Sequence, residues 1–380
     1  MDKECCFCGR KEQTILHKEL NAMVCINCML QLGGENDPFL PHNIISYLDR
    51  FVIGQEQAKR IVALSLFNHS RRVMFPDKLL PISHAFMIGP PGSGKTFIVE
   101  KLAEYAGLPC IIVDMNQYTR AGYIGKNIEE IIPLLIEKAG GDFEAAERGI
   151  IYLDEIDKKV YSGDNFNGDI NGETVQQELL TMINGTTMPI AYWGNGGNRD
   201  FNTRRILFVA AGAFKGLNEI VEKRTDTRSG IIGFKPFIEE EEEIKGISPK
   251  DLIEFGMTKE FVGRIPNIAT LDELTLDSLC SILTSAEESD AIKFKNLYDT
   301  MGIELEFAPE ALNAIAQKAI KLGTGARALN GIVQTALRDI TIELTLQRDV
   351  TKCIITEGVI KNGEKPLLLK RRQQAQMARA

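Results

Sequence analysis

The stretch Gly89-Pro-Pro-Gly-Ser-Gly-Lys-Thr96 leaves few folds open to this chain. It fits the pattern G-x-x-x-x-G-K-[ST] at every position. It stands between an apolar run, His84–Ile88, and a stretch of helical periodicity, Thr96–Ala106. Its glycines let backbone N–H groups wrap a phosphate chain at a helix N-terminus. Lys95 is then expected to reach the terminal phosphates, and the Thr96 hydroxyl to take Mg2+. The candidate nucleotide-binding residues here are Pro90, Pro91, Gly92, Ser93, Gly94, Lys95, Thr96 and the adjoining Phe97.

Three further short apolar runs follow, Cys110–Asp114, Ile150–Asp154 and Ile206–Ala211, with helical stretches such as Ile128–Ala139 between them. Strands alternating with helices imply crossover units and a parallel sheet covered on both faces, an α/β class. The run Ile150–Asp154 delivers Asp154 and Glu155 to the carboxyl end of that sheet, beside the phosphate loop. Asp154 is placed to hold the Mg2+ shell, and Glu155 to polarise a water against the γ-phosphate, so the pattern points to hydrolysis of ATP. Arg264, in "EFVGRIP", and Arg327, in "GTGARAL", are the arginines available to stabilise transition-state charge. Spacing leaves open which of them serves, and whether it acts across a subunit boundary.

The amino end makes a different demand. Cys5-x-x-Cys8 and Cys25-x-x-Cys28 are separated by sixteen residues, and each pair forms a knuckle that sets two thiolates on one side of a metal. Two knuckles close a tetrahedral Zn2+ site with no open position, and zinc supplies the folding energy that so short a segment lacks. Spacing leaves open whether this domain binds nucleic acid or protein. The expected organisation is a zinc domain at 1–34, a linker at 35–43, an α/β ATPase domain at 44–270, a mostly helical small domain at 271–370 and a disordered tail at 371–380.

Composition excludes several classes. A net charge of −8 argues against a nucleic-acid or anionic-membrane partner, because phosphate binding needs clustered Lys and Arg. No apolar run approaches the ~20 residues of a membrane span. The opening MDKECC contains no signal-peptide core, which places the expected location in the cytoplasm. No H-E-x-x-H occurs and no histidine follows His84, so no metalloprotease is fused to the motor.

In order along the chain, the zinc knuckle, "VIGQEQAK", "GPPGSGKT", "AGYIG", "RGIIYLDEIDK", "GETVQQELL", "EFVGRIP" and "GTGAR" resemble the ClpX family of AAA+ ATPases. The resemblance covers the chain except its last ten residues. It implies a homo-hexameric, ATP-dependent protein unfoldase and translocase that feeds a separate ClpP-type peptidase, with adaptors docking on the zinc domain. Val52, Ile53, Gly54 and Gln55 would lie against the adenine. Arg264 would act on a neighbour's ATP, and Arg327 would be the sensor arginine of the small domain. Tyr123 and Ile124 would line the pore and grip the translocating chain, where an aromatic holds polypeptide by bulk without reading sequence. Tyr161–Glu173 would be a second pore loop, and Ile232-Gly233-Phe234 would dock the peptidase.

Two departures stand out. The strand-four stretch "FVAAGAF" offers no polar sensor side chain. Where the family carries Arg-Lys-His at the pore mouth, this chain reads "GGNRDF", which puts Asn198, Arg199 and Asp200 there and cancels the usual positive charge. Weaker capture of carboxylate-ending tags is the expected consequence. The rival functions are a peptidase-independent remodelling chaperone of the same family and a nucleic-acid ATPase. Ile232-Gly233-Phe234 counts against the first, and the acidic balance against the second.

Overall fold

The computed structural model describes residues 14–17, 22–25, 37–119, 125–160, 170–192, 197–229, 246–347 and 349–371. Near the amino end, β1 (Thr14–His17) and β2 (Ala22–Cys25) pair antiparallel. The chain divides into two compact units. The first comprises Met1–Leu48, Glu56–Gly89 and Lys95–Leu271, and the second Asp49–Gln55, Pro90–Gly94 and Asp272–Ala380.

In chain order the first unit continues with β3 (Ala85–Ile88), β4 (Cys110–Asp114), β5 (Ile150–Asp154), β6 (Thr187–Tyr192), β7 (Gly197–Asn202), β8 (Leu207–Gly212) and β9 (Asn267–Thr270). Five of these make one parallel sheet in the order β4-β5-β8-β3-β9. Every residue of β3 and β8 is buried, as expected of central strands covered on both faces. β4 is an edge strand and correspondingly less buried, with Ile112 47% exposed. The four apolar runs of the sequence all become strands of this sheet. The fifth, β9, was not anticipated, since Asn267-Ile-Ala-Thr is short, mixed in polarity and preceded by Pro266.

Helices cover the sheet: α1 (Pro41–Asp49), α2 (Glu56–Met74), α3 (Lys95–Ala106), α4 (Ile131–Lys138), α5 (Ile170–Ile183), α6 (Leu217–Ser229), α7 (Pro249–Glu254) and α8 (Lys259–Arg264). The helical stretch expected at Ile128–Ala139 opens with a 3-10 turn, Ile128–Glu130, and only then becomes α4. Residues Ile170–Glu173, read from sequence as the end of a loop, already belong to α5. The core sets Phe86, Ile151, Leu153, Phe208 and Ala210 of the sheet with Ile132, Leu135, Leu179 and Phe261 of the helices.

The second unit has its own core, built on Leu279, Tyr298, Leu305, Ile315, Val333, Leu337 and Cys353. Its helices are α9 (Leu276–Thr284), α10 (Asp290–Asp299), α11 (Pro309–Lys321), α12 (Arg327–Thr345) and α13 (Glu357–Asn362). α11 starts with Pro309 in its first turn and is followed by Gly323 at φ 64°, the pairing expected of a helix with a defined start and stop. A small sheet completes the unit, in which β11 (Val350–Ile355) pairs parallel with β10 (Glu304–Phe307) and antiparallel with β12 (Leu367–Lys370). No described helix is long and apolar enough to cross a membrane.

Candidate functional site

Parallel strands bring their carboxyl ends to one edge of the sheet, and the candidate residues of the first unit gather there. Asp114 and Asp154 stand opposite one another in the β4–β5 register. Lys95 is buried at the start of α3, and its ammonium donates to the Gly89 carbonyl at 2.6 Å. The Thr96 hydroxyl lies 3.4 Å from the Tyr152 hydroxyl on β5. Phe97 is half-exposed and takes the Lys101 ammonium over its ring at 5.5 Å.

Glu155 leaves β5 in the left-handed region, at φ 57° and ψ 35°, a conformation disfavoured for a residue with a Cβ. Its backbone N–H donates to Asp154 Oδ1 at 3.0 Å, and its carboxylate receives the side-chain amide of Asn116. Asn116 is itself held, its backbone N–H and side-chain amide both reaching Asp114 Oδ1 at 3.0 Å. The sequence reading missed Asn116, and nothing local in "VDMNQY" marks it, because its partner lies 39 residues away.

The strand-four stretch without a polar side chain also finds its explanation. Asp157 is 5% exposed and accepts the Phe214 N–H through Oδ2 at 3.1 Å. A Cβ at Gly212 would come within 2.4 Å of Asp157 Oδ1. The carboxylate thus occupies the space beside the end of β8, and the third acid of "DEID" is its visible signal.

Arg264 is the last residue of α8 and is exposed, with no ion pair to any described residue. Arg327 opens α12, also exposed and unpaired among the described residues.

In the second unit, Pro90–Gly94 folds with Gly92 at φ 77° and Gly94 at φ 99°. Among the described residues the buried Ser93 hydroxyl has no partner, and none lies within 4 Å of the position a Cβ would take at Gly94. An orphaned hydroxyl beside an open glycine suits a phosphate, so these residues fit the triphosphate of ATP. Thr96 and Asp154 supply the hard oxygen donors that Mg2+ requires. Of the residues expected against the adenine, Val52 is buried, Ile53 is half-buried and Gly54 has φ 69°. The Gln55 carboxamide is bound to the backbone of Asp272.

Tyr123 and Ile124 fall outside the described residues, but both ends of their loop are fixed. Tyr118 bridges Lys126, the Thr119 N–H reaches the Lys126 carbonyl at 3.1 Å, and the Lys126 N–H reaches the Gln117 carbonyl at 3.0 Å. Gly125 has φ 150°, and a Cβ there would come within 2.5 Å of Thr119 Oγ1. Residues 161–169 of the second loop are likewise outside the described set.

So are Ile232, Gly233 and Phe234, whose flanks are also tied. Arg224 of α6 pairs with Asp251 of α7 at 2.8 Å and donates to the Gly246 carbonyl at 2.9 Å. Burial raises the pKa of the Asp251 carboxyl, but hydrogen bonds from Ser248 and the Arg224 guanidinium more than offset this and hold it below the usual carboxylate range.

Asn198, Arg199 and Asp200 sit within β7 rather than at a loop tip, opposite Ala191, Ile190 and Pro189. All three are exposed, and the Arg199 guanidinium lies 4.4 Å from the Phe143 ring centroid. Cys5, Cys8 and Cys28 lie outside the described residues, and Cys25 ends β2. Among the described residues no cluster of three His, Cys, Asp or Glu side chains could hold a metal.

Residues 80–268 match the family described as AAA domain (Cdc48 subfamily), and residues 278–356 match the C-terminal, D2-small domain of ClpB protein. The ATP-dependent Clp protease ATP-binding subunit ClpX 2 of Wolinella succinogenes is 34% identical over 398 residues, covering 98% of both chains. The ClpX subunit of Borrelia duttonii is 35% identical over 401 residues, covering 96% of this chain and 92% of the relative. ClpX 3 of Methylococcus capsulatus is 34% identical over 417 residues, covering 98% and 95%. A five-stranded parallel sheet, the phosphate-loop sequence that follows its β3 in the chain, a second unit rich in helices and this likeness over nearly the whole chain place the protein in the ClpX family of AAA+ ATPases.

Proposed function

We propose that this ATPase is a protein unfoldase and translocase, assembled as a homo-hexamer, that delivers chains to a separate ClpP-type peptidase. The observation that carries the reading is the linkage from chemistry to loop. Glu155 is held by Asn116, and the next residue, Gln117, pins the base of the loop that bears Tyr123 and Ile124. A loop anchored next to the hydrolytic carboxylate is placed to move when the nucleotide changes.

In this mechanism the loop Pro90–Gly94 and Lys95 hold the phosphates, and Val52 to Gln55 flank the adenine. Thr96 and Asp154 would hold Mg2+, which would neutralise charge on the phosphates. Glu155 takes the proton of the attacking water. Arg264 of one protomer meets the ATP of its neighbour, and Arg327 meets the nucleotide of its own chain. Zn2+ on Cys5, Cys8, Cys25 and Cys28 is structural and shapes a platform for adaptors. Ile232-Gly233-Phe234 fills a pocket of the peptidase. Arg199, beside Phe143 and followed by Asp200, contributes little positive charge to the pore mouth, so tags ending in a free carboxylate are captured weakly.

The test is loss of fluorescence from a tagged, stably folded fluorescent protein, followed with ATP and with or without a ClpP-type peptidase. Unfolding with ATP alone, and degradation only with the peptidase, is the expected pair of results. ATPase activity stimulated by DNA and not by unfolded protein would overturn the reading.

A further inference from the structure

Within the second unit one side chain joins three separate stretches of sequence. Gln55 is 7% exposed. Its carboxamide oxygen accepts the Asp272 N–H at 2.9 Å, and its amide donates to the Asp272 carbonyl at 2.9 Å and the Ser93 carbonyl at 3.4 Å. Gln55 is the last residue of its stretch in this unit, Asp272 is the first of another, and Ser93 belongs to Pro90–Gly94. Gln55 is also left-handed, at φ 58°, directly after Gly54. A residue with a Cβ keeps that conformation only where its surroundings hold it.

The hold on Asp272 uses backbone alone, so it fixes the position of the chain at residue 272 whatever the side chain there. The hold on Ser93 has a geometric consequence. In a trans peptide the carbonyl and the following N–H point opposite ways, so anchoring the Ser93 carbonyl on Gln55 turns the Gly94 N–H to the other side. The adjoining Gly92 carbonyl is anchored in the same manner, by the Ala326 N–H at 3.2 Å. A Cβ at Gly92 would come within 2.0 Å of the Thr324 carbonyl oxygen, so that approach is closed to any other residue.

We propose that Gln55 is a positioning residue of the ATPase. It orients the phosphate loop through Ser93 and registers it on Asp272, so that nucleotide affinity and the chain position at Asp272 depend on each other. This rests on reading Pro90–Thr96 as the phosphate site.

The experiment compares Gln55→Ala, Gln55→Glu, Asp272→Pro and Lys95→Ala with the parent in the full chain. It reads kcat and KM for ATP, the Kd of a fluorescent ADP analogue and the thermal midpoint. Gln55→Ala should raise KM and Kd about tenfold while kcat moves far less, because the contact acts on binding geometry. Gln55→Glu keeps the acceptor for Asp272 but sets a carboxylate against two carbonyls, and should raise both constants at least as far. Asp272→Pro lacks the N–H that Gln55 accepts and should move them the same way, adding little when combined with Gln55→Ala. If Gln55→Ala fails to fold, the other two variants carry the test. A lowered midpoint with KM and Kd within about twofold of the parent would make Gln55 a support of the fold only, and overturn the proposal. Parental affinity in Lys95→Ala would take the phosphate-site reading down with it. Lost affinity in Lys95→Ala alone would overturn only the role of Gln55.

Discussion

The side-chain amide of Asn116, at the carboxyl end of β4, donates to the carboxylate of Glu155, at the carboxyl end of β5. The pair joins the residue expected to activate water to a turn that is continuous with the loop before Lys126. A carboxylate engaged by Asn116 has one lone pair fewer to offer a water.

Asn116→Ala should therefore raise ATP turnover in the absence of substrate a few-fold and leave nucleotide affinity unchanged. Glu155→Gln should bind ATP normally and lose at least about a hundredfold in kcat, the usual contribution of a positioned base. Steady-state hydrolysis with nucleotide titrations separates the two effects. Parental turnover in Glu155→Gln would remove it from the mechanism.

Tyr123→Ala should keep ATP hydrolysis and lose unfolding of a stable substrate, since grip depends on the bulk of the ring. Measured at matched ATP turnover, unfolding rates equal to the parent would end the assignment of Tyr123 to the substrate path.

Deleting Ile232-Gly233-Phe234 should abolish degradation with a peptidase and spare ATP-driven unfolding. Arg224→Ala acts from outside that segment. It leaves Asp251, 1% exposed, without its cation, and should cost the fold about 3 kcal/mol. Chemical denaturation of Arg224→Ala measures that loss, and degradation assays on the deletion show whether the segment is the dock.

Stability should also depend on mildly acidic pH. His69 is fully buried on α2, and burial, outweighing its hydrogen bond with the Arg148 carbonyl, lowers its pKa to about 4. His84 is lowered to about 3 by burial, with Arg72 and His69 nearby, and its Nδ1 accepts the Phe208 N–H at 3.2 Å. Both titrate near 6.5 when unfolded, so the unfolded chain takes up protons first as pH falls. Their contribution is complete above pH 6.5 and declines between 6.5 and about 4 by roughly 1.4 kcal/mol per pH unit for each histidine. Thermal midpoints across that window should fall steeply, and less so in His84→Asn, whose carbonyl oxygen can accept the same N–H. An identical slope in that variant would assign the acid sensitivity to other groups.

The sheet was legible because β3, β4, β5 and β8 are apolar runs, and for β3, β5 and β8 burial on both faces selects that composition whatever the surroundings. The phosphate loop was legible because its chemistry is local, eight residues between strand and helix. The partners of these residues were not. Asn116 meets Glu155 across 39 positions, and Gln55 meets Asp272 across 217, so no periodicity or spacing connects them. From sequence, Gln55 comes only as an adenine residue implied by the family resemblance, and its bonds to Asp272 and Ser93 carry no local signal. Arg199 illustrates the same limit, since a cation set against Asp200 in the sequence also lies against the Phe143 ring.

Glu155 holds a left-handed backbone that glycine would adopt at no steric cost. For a residue with a Cβ the strain is about 1 kcal/mol, and here it sits on the residue proposed to activate water. Heat resistance and turnover therefore pull this position in opposite directions. A laboratory lineage selected for survival at high temperature, and never asked to hydrolyse ATP, would drift toward glycine at 155. It would arrive at a sturdier protein that has given up the carboxylate proposed to activate water.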